Sequence, residues 1–327
     1  MGSMIKKILL MTGLSLFLAS CSQQDDKVIL RMGHTLDTEH SVHKGMAFLA
    51  KKLDEYSKGT MEVKIYPNAQ LGNEREMVEL LQIGSLGMAK VSAATIEGFV
   101  PDMRVYGVPY LFESREHRWK VLQGKVGQEL LDATQKAHFV GLGYYDSGSR
   151  SFYMTDTKVE EPSDLTSKKI RVLESQMAIK MVGAFGGAAT PISFGELYAA
   201  LQQGVVDGAE NNPPSFYLSR HYEICKYYIL DEHTSVPDVI LGSKHVYENL
   251  NEQQKQWLQM AIDDSVEYQK KLWLASEKEA LDAVKAAGVE VIYPDKTPFI
   301  NAVSGLYETF EGTLVGEYLQ KIKAEAN

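Results

Sequence analysis

From Asn251 to Ala287 the sequence carries one long helical pattern, running through Trp257, Ile262, Tyr268 and Leu272. A helix of roughly 35 residues reaches about 50 Å. That exceeds one lobe of a chain this size, so the segment predicts a strut lying across two lobes. With 327 residues there is room for two units of ordinary domain size, and at 44% hydrophobic content each can bury a core.

The rest of the chain alternates strand and helix. The segment "VILRMGH" reads as a strand and leads into "SVHKGMAFLAKKLDEYSKG", where Val42, Met46, Leu49, Leu53 and Tyr56 recur at helical spacing and Gly59 is placed to end the helix. In "MEVKIYP" the residues Met61, Val63 and Ile65 alternate with charged ones, as in a half-buried strand. "NEREMVELLQIG" is helical and "GMAKVS" extended. After "FVGLGYYDSGSR" the rhythm resumes with strand "KKIRVLE", helices "QMAIKMVGAFGG" and "FGELYAALQQG", and strands "VVDGAE" and "PDVILGSK". Ser193 and Glu196 form an S-x-x-E pattern that predicts a capping box. The fold class is α/β, with sheets covered by helices on both faces.

The amino terminus reads as an export signal over residues 1–20. Met1–Ser3 read as cloning residues before a natural start at Met4. Lys6 and Lys7 precede an apolar run, Ile8 to Ala19, that is too short for a permanent span of about 20 apolar residues. The run ends in "LASC", which resembles a bacterial lipobox and predicts lipid on Cys21, followed by a polar tether over residues 21–27. Cys225 is then the remaining thiol, which precludes an intrachain disulfide; among the apolar and aromatic residues of "HYEICKYYIL" it reads as core packing. The 43 acidic residues against 34 basic ones give a net charge of −9, which argues against general affinity for nucleic acid or anionic membrane. An anion must be caught by a local site.

Four clusters offer such a site. Arg150, in "DSGSRSF", stands at a loop-to-strand junction among small residues that leave its guanidinium unobstructed. Arg171 lies on a strand expected to be buried on both faces, where arginine needs an anion: either an internal carboxylate such as Glu174 or a ligand. In "VVDGAENNPPSFY" a buried strand ends in Glu210, Asn211 and Asn212 before Pro213 and Pro214, at the strand end where ligands bind in open sheets; turn chemistry is the competing reading of the same residues. In "LGNERE", Glu74 or Glu76 can accept from sugar hydroxyls or simply favour a helix start. His40 and His43 lie three apart with no second pair at ligand spacing, so neither a metal nor a cofactor is expected. Ser147 and Ser149 flank Gly148 without a G-x-S-x-G elbow, and phosphate or dinucleotide loops are missing, which disfavours an enzyme.

In their order, "YPNAQLGNEREMVELLQIGSL", "GYYDSGSRSFY", "DLTSKKIRV", "TPISFGELYAALQQGVVDGAENN" and "ILGSKHVYENL" resemble the DctP-type solute-binding proteins of TRAP transporters. The resemblance implies a two-lobed periplasmic binding protein with a long helix crossing both lobes. Lobe I is expected over 28–147 and 237–276, lobe II over 148–236 and 277–327. It implies a small carboxylate ligand and two membrane partner subunits, small and large. By the same resemblance Arg171 is the main carboxylate clamp, Arg150 the second arginine, Asn211 the asparagine after "DGAE", Phe194 an apolar wall and Glu74 the acidic residue after "LGN". Ser92 stands where sialic-acid binders carry glutamate. "LGNERE", "YDSGSRS" and "AENN" look most like the subgroup that binds hexuronates, with His40 and Asn212 near the sugar, although Pro213 replaces an aromatic residue common there. D-glucuronate or D-galacturonate is thus the expected ligand, ahead of an aldonate, a 2-oxo acid or sialic acid.

Overall fold

The computed structural model describes residues 27–326. The expected export signal and the lipid expected on Cys21 lie outside the described residues. Strands β1 (Val28–Gly33), β2 (Met61–Tyr66), β3 (Met88–Ser92) and β4 (Phe139–Tyr145) begin a first sheet. The chain then crosses over and lays down β5 (Arg150–Met154), β6 (Lys169–Val172), β7 (Ala188–Pro191), β8 (Gly208–Asn211) and β9 (Tyr227–Thr234) in a second. It returns for β10 (Asp238–Ser243), which completes the first sheet in the order β2-β1-β3-β10-β4, and crosses again for β11 (Glu290–Ile292), which gives the second the order β11-β9-β5-β8-β6-β7. The two-lobed α/β expectation is met.

Alternation along the strands explains why both faces of the second sheet need cover. On β5, Phe152 enters one apolar cluster with Ile170, Val182 and Phe299, while its neighbour Tyr153 enters another with Leu197, Phe216 and Tyr228. By the same period, Ile170 and Val172 take one face of β6 and Arg171 is turned to the opposite one.

The predicted strut is the helix Glu252–Ala286, closed at its start by an Asn251–Gln254 capping box. Its Ile262, Val266 and Trp273 belong to the first sheet's core, whereas Val284, with Leu281 against it, belongs to the second sheet. Gly45 of the helix Ser41–Ser57 permits the close approach of these two helices, because a Cβ there would stand 2.9 Å from Gln269. That helix ends at Lys58, in the left-handed region, with Gly59 following it there as well.

Two expectations need correction. The terminal helix Leu314–Ala324 does not stay with the second lobe: Val315, Tyr318 and Ile322 pack into the first core, and the Ile322 carbonyl lies 2.9 Å from His117 Nε2. An amphipathic end segment docks where apolar surface remains, which its sequence position does not reveal. The Ser193–Glu196 pair makes no capping box either. The Ser193 hydroxyl bonds the Glu196 carboxylate directly at 2.6 Å, and a 3₁₀ turn, Phe194–Glu196, precedes the helix Leu197–Gln202.

Candidate functional site

Between the two sheets lies a cleft of about 710 Å³ counting the solvent at its open mouth, lined from the first lobe by Glu74, Lys90 and Ser92 and from the second by Arg150, Arg171 and Asn211. His40, Phe194 and Asn212 also reach it, so all eight residues predicted from the sequence converge on one cavity.

Arg171 is completely buried. Its Nε donates to the Ile192 carbonyl at 2.8 Å, and its Cζ lies 5.8 Å from the centre of the Phe194 ring. The two terminal nitrogens, also buried, have no hydrogen-bond partner among the described residues. Glu174, the internal partner considered above, is exposed and forms no ion pair with it. Burial accordingly holds the guanidinium below its ordinary pKa. A planar fork with both outer donors open matches a carboxylate in two bonds.

Arg150 differs from expectation. Its guanidinium is not unobstructed: Nε and one terminal nitrogen clasp the Glu210 carboxylate, the latter at 2.7 Å to Oε1, that nitrogen also reaches the Glu210 carbonyl at 2.8 Å, and the other donates to Asn211 Oδ1 at 3.0 Å. Small neighbours do leave room, and Glu210, on the neighbouring strand β8, fills it. Behind Glu210, His233 Nε2 stands 3.5 Å from Oε2 and Nδ1 2.8 Å from Asp231. Burial opposes charge throughout this chain, yet alternating signs prevail. Arg150 and His233 bring Glu210 down to about 2, and Asp231 and Glu210 raise His233 to about 9. Two cations and two anions cancel, which leaves Arg171, among the described residues that line this side of the cleft, as the buried cation without a carboxylate partner.

The first sheet supplies a different chemistry. Lys90 Nζ, buried on β3, bridges Glu74 Oε1 at 3.1 Å and Asp238 Oδ1 at 3.2 Å. The second Glu74 oxygen accepts the Ser92 N–H at 3.1 Å and the Thr95 hydroxyl at 2.9 Å. Burial would lower the Lys90 pKa, but Asp238 and Glu74 outweigh it and hold the ammonium above its ordinary value. Glu76, the alternative to Glu74, turns away to close the Asn73 capping box. Ser92 caps the short helix Ala93–Ile96 through its hydroxyl.

The asparagines are half committed. Asn211 Oδ1 serves Arg150 and the Asn212 N–H, and Asn212 Oδ1 caps the helix Pro213–Leu218. Turn chemistry and the cleft thus use the same residues, and neither amide nitrogen is spent in these bonds. His40 Nδ1 accepts the Val42 N–H at 3.2 Å, so Nε2 carries the proton and faces Ser215 Oγ at 3.3 Å. Burial, then Lys90, press its pKa down to about 3 and keep the ring neutral. His43 pairs with His34 at 2.9 Å, and among the described residues no group of metal-binding side chains forms. The Ser147 hydroxyl donates to the Val236 carbonyl.

Sequence reasoning missed Lys90, Asp238 and His233. The first carried a usable signal: a lysine within "GMAKVS", a strand buried along its length, demands a partner as much as Arg171 does.

The fold and its cleft define a two-lobed solute-binding protein. Residues 32–313 match the family described as bacterial extracellular solute-binding protein, family 7, or DctP, and the chain belongs to it. A solute-binding protein of Chromohalobacter salexigens is 33% identical over 268 residues, 82% of this chain and 80% of that one. A TRAP periplasmic solute-binding protein of Xanthobacter autotrophicus with bound β-D-galacturonate superposes with a TM-score of 0.87 at 36% identity, over 90% of this chain and 99% of that one. One from Anaerococcus prevotii with bound D-glucuronate gives 0.89 at 33%, over 91% and 98%.

Proposed function

We propose that this protein captures a hexuronate, D-glucuronate or D-galacturonate, for uptake by a TRAP transporter. The observation that carries the reading is Arg171, whose two buried terminal nitrogens await an anion while every other cation on its side of the cleft is paired. Around it, the amide nitrogens of Asn211 and Asn212, the proton of His40 and the oxygens of Glu74 can answer a ring of hydroxyls, each of which donates and accepts. The uronates bound by the Xanthobacter and Anaerococcus proteins support the same ligand class. A neutral hexose would leave Arg171 buried without a counter-ion.

A thermal-shift screen tests the reading, since a ligand at 100 times its dissociation constant adds about 2.7 kcal/mol to the folded state. Both uronates should raise the melting temperature and glucose and galactose should not. A shift with sialic acid or a short 2-oxo acid, with both uronates inert, would refute it. Within the reading, lipid on Cys21 anchors the protein on the periplasmic side and the small and large membrane subunits receive the ligand; no helix of the described residues is long and apolar enough to cross a membrane. Cys21→Ala should release the protein from membranes. Pure protein should return the uronate unchanged, because it binds and does not turn over.

A further inference from the structure

The wall opposite Arg171 holds two carboxylates on one ammonium. Glu74 comes from a helix start, Lys90 from β3 and Asp238 from β10, and all three line the cleft. The ion pairs are nearly dry, with side-chain exposure of 3% for Lys90, 12% for Glu74 and 10% for Asp238. Formally the group carries one negative charge in excess. The nearby cation Arg75 does not offset it, being turned to Glu79 at 3.2 Å and lying 5.0 Å from the Phe99 ring.

The chemistry of such a wall suits hydroxyls better than anions. Its oxygens accept O–H groups, and Lys90 holds them in place. A carboxylate set against Glu74 and Asp238 would instead stand beside like charges in a water-poor space, where Coulomb repulsion is little screened. Crowding is already felt there: burial, with Glu74 beside it, holds the Asp238 carboxyl above its ordinary range despite Lys90.

We infer that the Glu74–Lys90–Asp238 group is a charge filter that fixes the sugar acid with its carboxylate on Arg171 and excludes ligands carrying a second carboxylate at the other end. This rests on the uronate reading of the cleft and adds the class of anion it rejects: aldarates, which match a uronate in chain length but are acids at both ends. Within it, Lys90 acts as a positioning residue, since it holds the two acceptors that meet the ligand.

Titration calorimetry at pH 7 with D-galacturonate and with galactarate, the matching diacid, tests the inference on the intact protein. The diacid should bind on the order of 100-fold more weakly, because like charges juxtaposed at a desolvated contact are strongly disfavoured. Glu74→Gln and Asp238→Asn each remove one charge with little change of shape, and each should narrow that ratio by roughly tenfold. A merely structural role would weaken both ligands together and leave the ratio alone. Galactarate binding within about threefold of galacturonate, or a ratio unmoved in both variants, overturns the filter and spares the uronate reading. Absence of binding by galacturonate and glucuronate alike overturns both.

Discussion

Glu210 holds Arg150 with both of its carboxylate oxygens, so the arginine that reads in the sequence as a second open clamp is a finished ion pair. Its place in the cleft follows from β5 and β8 being antiparallel neighbours, with Ser151 opposite Asn211 and Phe152 opposite Glu210.

Breaking such a pair by removing one partner strands the other charge in a dry interior, at about 3–5 kcal/mol. Glu210→Gln should therefore destabilise the protein by that order in urea denaturation. Glu174→Gln, at an exposed position on the same rim, should stay within about 0.5 kcal/mol. Equal losses for the two would mean that Arg150 finds another anion.

His233 sets a pH dependence of known sign. Its folded pKa, raised by Asp231 and Glu210 to about 9, lies above the ordinary value of 6.5. A raised histidine pKa gives stability that is complete below about pH 6.5 and is lost as pH climbs through about 9. The groups facing the ring are Asp231 on its own strand, Glu210 on β8 with Arg150 beyond it, and the rings of Phe152 and Phe185; Tyr110 meets the backbone of its strand. The loss should be on the order of 3 kcal/mol between pH 6.5 and 9. Denaturant titrations across that range should show the decline in the wild type and a much flatter profile in His233→Gln.

Much of this was legible in the sequence because burial constrains composition. An arginine on a strand buried on both faces, a helical pattern too long for one lobe and a strand ending in two asparagines each permit few structures. What was not legible depends on pairing between distant strands. Whether Arg150 faces solvent or Glu210 is decided by the β5–β8 register, and His233 joins Glu210 through the β9–β5–β8 order. Likewise Lys90 and Asp238 meet because β10, 148 residues further on, inserts beside β3. No local periodicity carries that information.

Glu97 joins the two lobes directly. From the first lobe its Oε1 accepts the backbone N–H groups of Gln176 and, at 3.3 Å, Met177, at the start of the helix Gln176–Ala184 in the second. A carboxylate at a helix N-terminus stabilises by up to about 2 kcal/mol when partly buried, and an opening of the cleft that separates the lobes here is expected to break this contact. Glu97→Gln should raise the dissociation constant of the uronate by up to about 30-fold. The free protein should also become more open, read as a larger radius of gyration in solution scattering. An unchanged affinity would mean that the contact forms only after the ligand is committed.

Arg171 yields the sharpest test, because its two roles pull in opposite directions. Truncating one partner of a buried charged pair costs about 2–5 kcal/mol of binding, or roughly 30-fold to several-thousand-fold in dissociation constant. Arg171→Met should lose the ligand to that extent, and Arg171→Lys should recover little, since a lysine cannot keep the Ile192 bond and offer a two-pronged fork together. Without ligand the sign reverses. The wild-type protein holds a guanidinium whose terminal nitrogens have no partner among the described residues, and replacing a poorly compensated buried charge with an apolar side chain of similar volume is neutral or stabilising. Ligand-free Arg171→Met should thus melt at or above the wild-type temperature while failing to respond to uronate. A lower melting temperature, with binding intact, would mean that Arg171 holds the lobe together and that another group takes the carboxylate.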